Sequence, residues 1–150
     1  LELHAFEADN KPVQLRVASR PMDALPEFVL HKTTHRPQYD AFQREAGSAF
    51  DVVLFDRQGH ITETCRCNLV LKLGGELLTP QISESTRTYL LPGVFREQLL
   101  RENAIRQASL NVSDLQRAEE VWLINSLRGW VPVSTIVSSD GKLIFSNNTQ

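Results

Sequence analysis

The sequence predicts an α/β chain built around a sheet of mixed strand direction, and three features point there. The run "DVVLFD" (51–56) is continuously apolar between its two aspartates, the pattern of a strand covered on both faces. Gly74-Gly75 separates the strand-like "ITETCRCNLVLKL" from "ELLT", the mark of a two-residue hairpin turn. Among these strands stand two helix-start signals, Pro37 and Pro92-Gly93. So many hairpins do not fit the strand–helix alternation of a Rossmann unit.

Taken in order, residues 1–8 and 12–18 alternate loosely around Asp9-Asn10-Lys11 and read as a hairpin. Residues 19–26, with Pro21 and Pro26, form a connector into a strand at 27–31. Pro37 opens a helix with Tyr39, Phe42 and Ala46 on one face and Gly47 as its stop. The strand at 51–56 turns through Asp56 to Gly59 into the run 61–73, which pairs back with 76–79. A polar loop, 80–90, leads to a helix over 94–104. A short strand, a short helix at 113–118 and a strand at 119–124 come next. "VPVSTIV" and "KLIF" close the chain around Ser139-Asp140-Gly141. No repeat, low-complexity tract or internal linker interrupts this order, and 150 residues suffice for one domain burying about two-thirds of its unfolded surface.

Composition removes several function classes. A net charge of −2 provides no basic field for nucleic acid or anionic membrane. No apolar run approaches the roughly 20 residues of a membrane span, and the first residues lack a signal-peptide pattern. The chain starts at Leu1, already in strand-like sequence, which suggests a domain of something longer. Cys65 and Cys67 would share one face of an unbroken strand, too close for a relaxed disulfide. C-x-C alone supplies too few ligands for a metal, so no metal is expected. Free thiols fit a cytoplasmic setting.

Chemistry has four places to reside. The strand-like Phe28-Val29-Leu30 delivers Lys32 between His31 and His35; a solvated lysine and packed or solvent-facing histidines are the simplest reading. Glu63 follows Ile61 by two, so an unbroken strand places it on an apolar row, where a carboxylate is costly without a cation or strong donor. An exposed edge glutamate is the alternative. "LLPGVFREQLL" (90–100) puts Pro-Gly before a helix, where amides and dipole favour an anion, although such a pair is commonly just a turn. "INSLRG" (124–129) is a polar turn after a buried strand. Neither stretch matches a Walker or dinucleotide glycine pattern.

The order of these stretches is more specific than any one of them. "HKTTHRPQYD", "ITETCRCNLVL" with "ELLTP", "LLPGVFREQLL" and "AEEVWLINSLRGWVPV" together resemble the class IV pyridoxal-phosphate-dependent aminotransferase family over residues 28–133. Within it, K-T-T-x-R-x-x-Y and N-S-L-R-G are most similar to the aminodeoxychorismate lyase part of fused para-aminobenzoate synthases. The resemblance implies a mixed, hairpin-rich sheet or pseudo-barrel flanked by helices, as in the large domain of D-amino-acid-aminotransferase-like enzymes. It implies pyridoxal 5'-phosphate as cofactor and Lys32 as the catalytic residue bonded to the cofactor's aldehyde. It further implies Glu63 at the pyridine nitrogen, Asn68 ordering the site, and the Val94 and Phe95 amides with Ser126 on the phosphate. Arg128 is a candidate for a substrate carboxylate, with a surface arginine as the equal alternative. Phe95 stands where a threonine is common. Pro37 occupies the position of a tyrosine found in branched-chain aminotransferases, which leaves Tyr39 as a helix-face residue and favours a lyase.

The reaction so implied converts 4-amino-4-deoxychorismate to 4-aminobenzoate and pyruvate in folate biosynthesis. An amino-acid aminotransferase is the first alternative, and a non-catalytic scaffold or dimerisation domain of a fused synthase the second. The family pattern also implies a homodimer, association with an aminodeoxychorismate synthase, and a small N-terminal domain not contained in these 150 residues.

Overall fold

The structure, a computed structural model, describes residues 11–22 and 36–147. The expected strand at 27–31, the first arm of the N-terminal hairpin, and Lys32, His31 and His35 lie outside those residues. Among the described residues nine strands form one sheet: β1 (Val13–Val17), β2 (Asp51–Phe55), β3 (Ile61–Thr64), β4 (Asn68–Leu73), β5 (Glu76–Pro80), β6 (Arg106–Ala108), β7 (Glu120–Asn125), β8 (Gly129–Val137) and β9 (Leu143–Ser146). Three helices accompany them: α1 (Arg36–Gln43), extended by a 3-10 turn over Arg44–Ala46, α2 (Val94–Arg101) and α3 (Asp114–Arg117).

The strands run in the order β3-β2-β1-β8-β7-β4-β5-β6, with β9 also on β8. Long β8 joins two halves: its start pairs antiparallel with β7, and its end pairs parallel with β1. Along that order β3 and β4 lie far apart, yet the two touch, because the sheet curls. The segment after β6 helps close the curl, with Ile61 N–H donating to Leu110 O at 2.7 Å and Val112 N–H to Gly59 O at 3.2 Å. The expected pseudo-barrel is therefore present, its edge partly covered as a strand edge requires.

Alternation along the strands divides the apolar residues between inside and outside. Leu69, Leu71, Val121, Leu123, Val131 and Val133 meet Leu15, Val53 and Ile136 in the barrel interior. On the other side, Val52 and Leu54 pack against Tyr39 and Phe42 of α1, and Val70 and Ile124 pack near Leu99 of α2. The strand covered on both faces is thus β2, as its apolar run predicts. Gly74 and Gly75, at φ 57° and 80°, make the tight β4–β5 turn in a conformation that side chains resist.

Two sequence expectations need correction. The run 61–73 is not one strand but breaks at Thr64, and Cys65–Cys67 form a bend. Buried Asp51 causes the break: its Oδ1 accepts Cys65 N–H at 3.0 Å and its Oδ2 accepts Arg66 N–H at 3.2 Å. The side chain replaces a ladder partner, so period-two spacing fails there. Cys65 consequently packs with the α1 cluster while Cys67 packs in the barrel; the two thiols form no disulfide and do not share a face. The second correction is α2, which stops at Arg101 rather than 104. Asn103 takes φ 59°, Ala104 N–H donates to Leu99 O and Asn103 N–H to Leu100 O, a left-handed cap that ends the helix.

Candidate active site

Three chain reversals meet at one place: the bend after β3, the loop entering α2, and the β7–β8 turn. Glu63, next to last in β3, is only 1% exposed. That settles the choice left open by sequence: the glutamate is buried, not on an exposed edge. Tyr39 Oη–H donates to Glu63 Oε2 at 2.9 Å, and Leu91 N–H approaches the same oxygen at 3.4 Å. Burial, then the adjacent Glu63 carboxylate, raises the Tyr39 hydroxyl far above its ordinary pKa, so it stays a donor.

Asn68, the first residue of β4, donates from Nδ2 to Leu91 O at 3.0 Å and ties the bend to the loop before α2. Gly93 completes this contact. A Cβ there would stand 2.5 Å from Asn68 Oδ1, so only glycine lets the helix start approach so closely. No side chain caps α2, whose first amides remain available to an anion. Arg96 anchors the same turn from beneath: it is buried, donating from Nη2 to Pro80 O at 3.1 Å and Gln107 Oε1 at 2.7 Å, and it pairs with Glu97. Burial draws its pKa down, opposed by the neighbouring carboxylates of Glu97 and Glu63.

A pocket of about 130 Å³ opens between these parts. Glu63, Asn68, Val94, Phe95 and Ser126, all singled out from sequence, line it together with Arg66, Cys67 and Asn125. Arg128 is the exception. It is exposed and absent from the pocket wall, and its guanidinium lies 5.0 Å above the Phe50 ring. Arg66 holds the wall position instead, stacked on that same ring at 4.3 Å.

Sequence reasoning missed Tyr39, which does lie on the buried helix face but also reaches Glu63. The available signal was that a buried tyrosine hydroxyl normally finds a partner. Arg66 and Cys67 carried no comparable signal, because their roles depend on the bend; Asn125 stood in the polar turn "INSLRG", but nothing local tied it to Cys67. Among the described residues no helix is long and apolar enough to cross a membrane.

The profile of the amino-transferase class IV family matches residues 2–136. Aminodeoxychorismate lyase of Vibrio harveyi is 30% identical over 145 residues, covering 95% of this chain and 54% of that protein. Among solved structures, a Mesorhizobium loti protein provisionally named an amino-acid aminotransferase superposes with a TM-score of 0.76 at 34% identity, over 87% of this chain and 61% of that one. A Legionella pneumophila protein provisionally named a 4-amino-4-deoxychorismate lyase gives 0.78 at 26% identity, over 94% and 52%. The chain thus spans about half the length of the lyase relatives it matches. With the profile spanning nearly all of the sequence and the same fold in both structures, the chain belongs to the class IV aminotransferase family.

Proposed function

We propose that the protein is a pyridoxal-phosphate-dependent lyase that converts 4-amino-4-deoxychorismate to 4-aminobenzoate and pyruvate, the step of folate biosynthesis that the resemblance implies. The observation that carries the reading is the buried Glu63 carboxylate, which shares one pocket with the uncapped amides of α2 and with Ser126. Such a pocket fits a cofactor with a basic ring nitrogen and a phosphate. The lyase similarity and Pro37 at the transaminase tyrosine position support this substrate.

Pyridoxal phosphate, when bound, supplies an electron-withdrawing ring that stabilises negative charge on the carbon bearing the substrate amine. Glu63 holds a proton at the ring nitrogen, and Tyr39, donating to Oε2, fixes that carboxylate in place. The amides of Val94 and Phe95 and the Ser126 hydroxyl bind the phosphate, and Phe95 offers only its amide. Lys32 would hold the cofactor through its aldehyde and, as a free amine, would serve as the base that takes the proton from the carbon carrying the substrate amine. Loss of pyruvate leaves an aromatic ring, so the reaction needs no amino acceptor.

The second reading, an amino-acid aminotransferase, is favoured by the 34%-identical Mesorhizobium structure. The deciding assay supplies the aminated chorismate to the natural protein and follows pyruvate. Release without any 2-oxo acid supports the lyase; product only when a 2-oxo acid is added supports the transaminase. A visible band from bound cofactor, lost in Lys32→Ala, is expected in either case. Absence of that band in the wild-type protein would leave a scaffold instead.

A further inference from the structure

Asn125 is the last residue of β7, and both ends of its side chain are engaged. Its Oδ1 accepts Arg128 N–H at 2.8 Å, closing the exposed turn Ser126-Leu127-Arg128 ahead of Gly129. Its Nδ2 donates to Cys67 Sγ at 3.2 Å, on the bend 58 positions earlier in the chain. Cys67 is buried, and that bend is itself held by Asp51. Asn68, one residue beyond Cys67, ties the same bend to the loop before α2. Two asparagines therefore lash two otherwise separate loops to one rigid point, and both line the pocket.

We infer that Asn125 is a positioning residue: anchored on Cys67, it holds the Ser126 turn in the shape that receives the cofactor's phosphate. This rests on the cofactor reading above. The chemistry restricts the position. Aspartate could accept from Arg128 N–H but could not donate to the thiol, and serine is too short to do both. The thiol is a weak acceptor, so its own loss has the smaller effect. The action is on the phosphate alone, because Glu63 and Tyr39 at the ring nitrogen do not depend on Asn125.

The test compares titrations with pyridoxal 5'-phosphate and with pyridoxal, which lacks the phosphate, followed by absorbance. Asn125→Ala should weaken binding of the phosphorylated form about tenfold, the loss of a hydrogen bond that fixes a charged contact. Pyridoxal affinity should stay where it was. Cys67→Ala should shift the same ratio less, and Cys67→Ser should restore it. If Asn125→Ala does not fold, Cys67→Ala decides by the same ratio. An unchanged ratio in whichever of these variants folds, in a wild-type protein that prefers the phosphorylated form, overturns the inference alone. A wild-type protein with no such preference overturns the cofactor reading and this inference with it.

Discussion

The barrel interior and most of the bend after β3 are buried, yet different forces hold them. Inside the barrel, the side chains of Leu69, Leu71, Leu123, Val131 and Val133 belong to one apolar cluster drawn from several strands. Their contribution is area removed from water, shared among many contacts and tolerant of exchange. At the bend, Asp51, Thr64, Asn68 and Asn125 each make specific hydrogen bonds to backbone or thiol. Few of these are replaceable, since a buried donor or acceptor left alone costs more than its bond contributes. The barrel supplies stability in bulk, and the bend supplies geometry.

Breaking the barrel should have the largest effect. Leu123→Ala, at a fully buried position, should cost about 2–5 kcal/mol of stability. The fraction that remains folded should bind cofactor normally, as read by chemical unfolding beside a cofactor titration. A lost binding site without lost stability would reverse the division proposed above.

The bend should respond next, and with a pH signature. Burial raises Asp51 above its ordinary 3.8 in the folded chain, despite the amides and Arg66 that oppose the shift. The folded form therefore holds this proton more tightly than the unfolded one. Its contribution favours folding most at pH below 3.8 and is lost as pH rises through the raised folded value. Asp51→Asn removes that dependence, so the wild type should lose stability relative to the variant between about pH 4 and pH 7. Urea unfolding at the two pH values reads this directly, and parallel curves would refute it.

Gly93→Ala should act more locally. The added Cβ must displace the Asn68 amide, at a cost of about 1 kcal/mol in stability. Cofactor affinity should fall about tenfold, because the helix start moves away from the pocket. Glu63→Gln should do the opposite within the same site. It should leave affinity nearly intact while turnover drops on the order of a hundredfold, since the phosphate anchors are elsewhere. Unchanged turnover would remove Glu63 from the chemistry.

What could be read from sequence divides along the same line as the two regions. The apolar run of β2, the Gly74-Gly75 hairpin and the buried face of α1 follow from local periodicity, and the structure contains them. Glu63, Asn68, Val94, Phe95 and Ser126 were legible through motif order, and they do share one pocket. The break at Thr64 was not legible, because its cause, Asp51, lies 14 positions from Cys65 in the chain. Tyr39 meeting Glu63 and Asn125 meeting Cys67 are likewise long-range contacts that no spacing rule encodes. For Arg128 the sequence left a substrate contact and a surface position open, because a cation after a site turn reads alike in both; the structure has it exposed beside the Phe50 ring.

The most direct test of the account is a crystal structure of the natural protein with pyridoxal 5'-phosphate. The phosphate should lie on the amides of Val94 and Phe95 and on Ser126, the ring nitrogen within hydrogen-bond reach of Glu63, and Lys32 should be bonded to the cofactor. A phosphate held elsewhere, or a Glu63 carboxylate that touches no part of the cofactor, would contradict it.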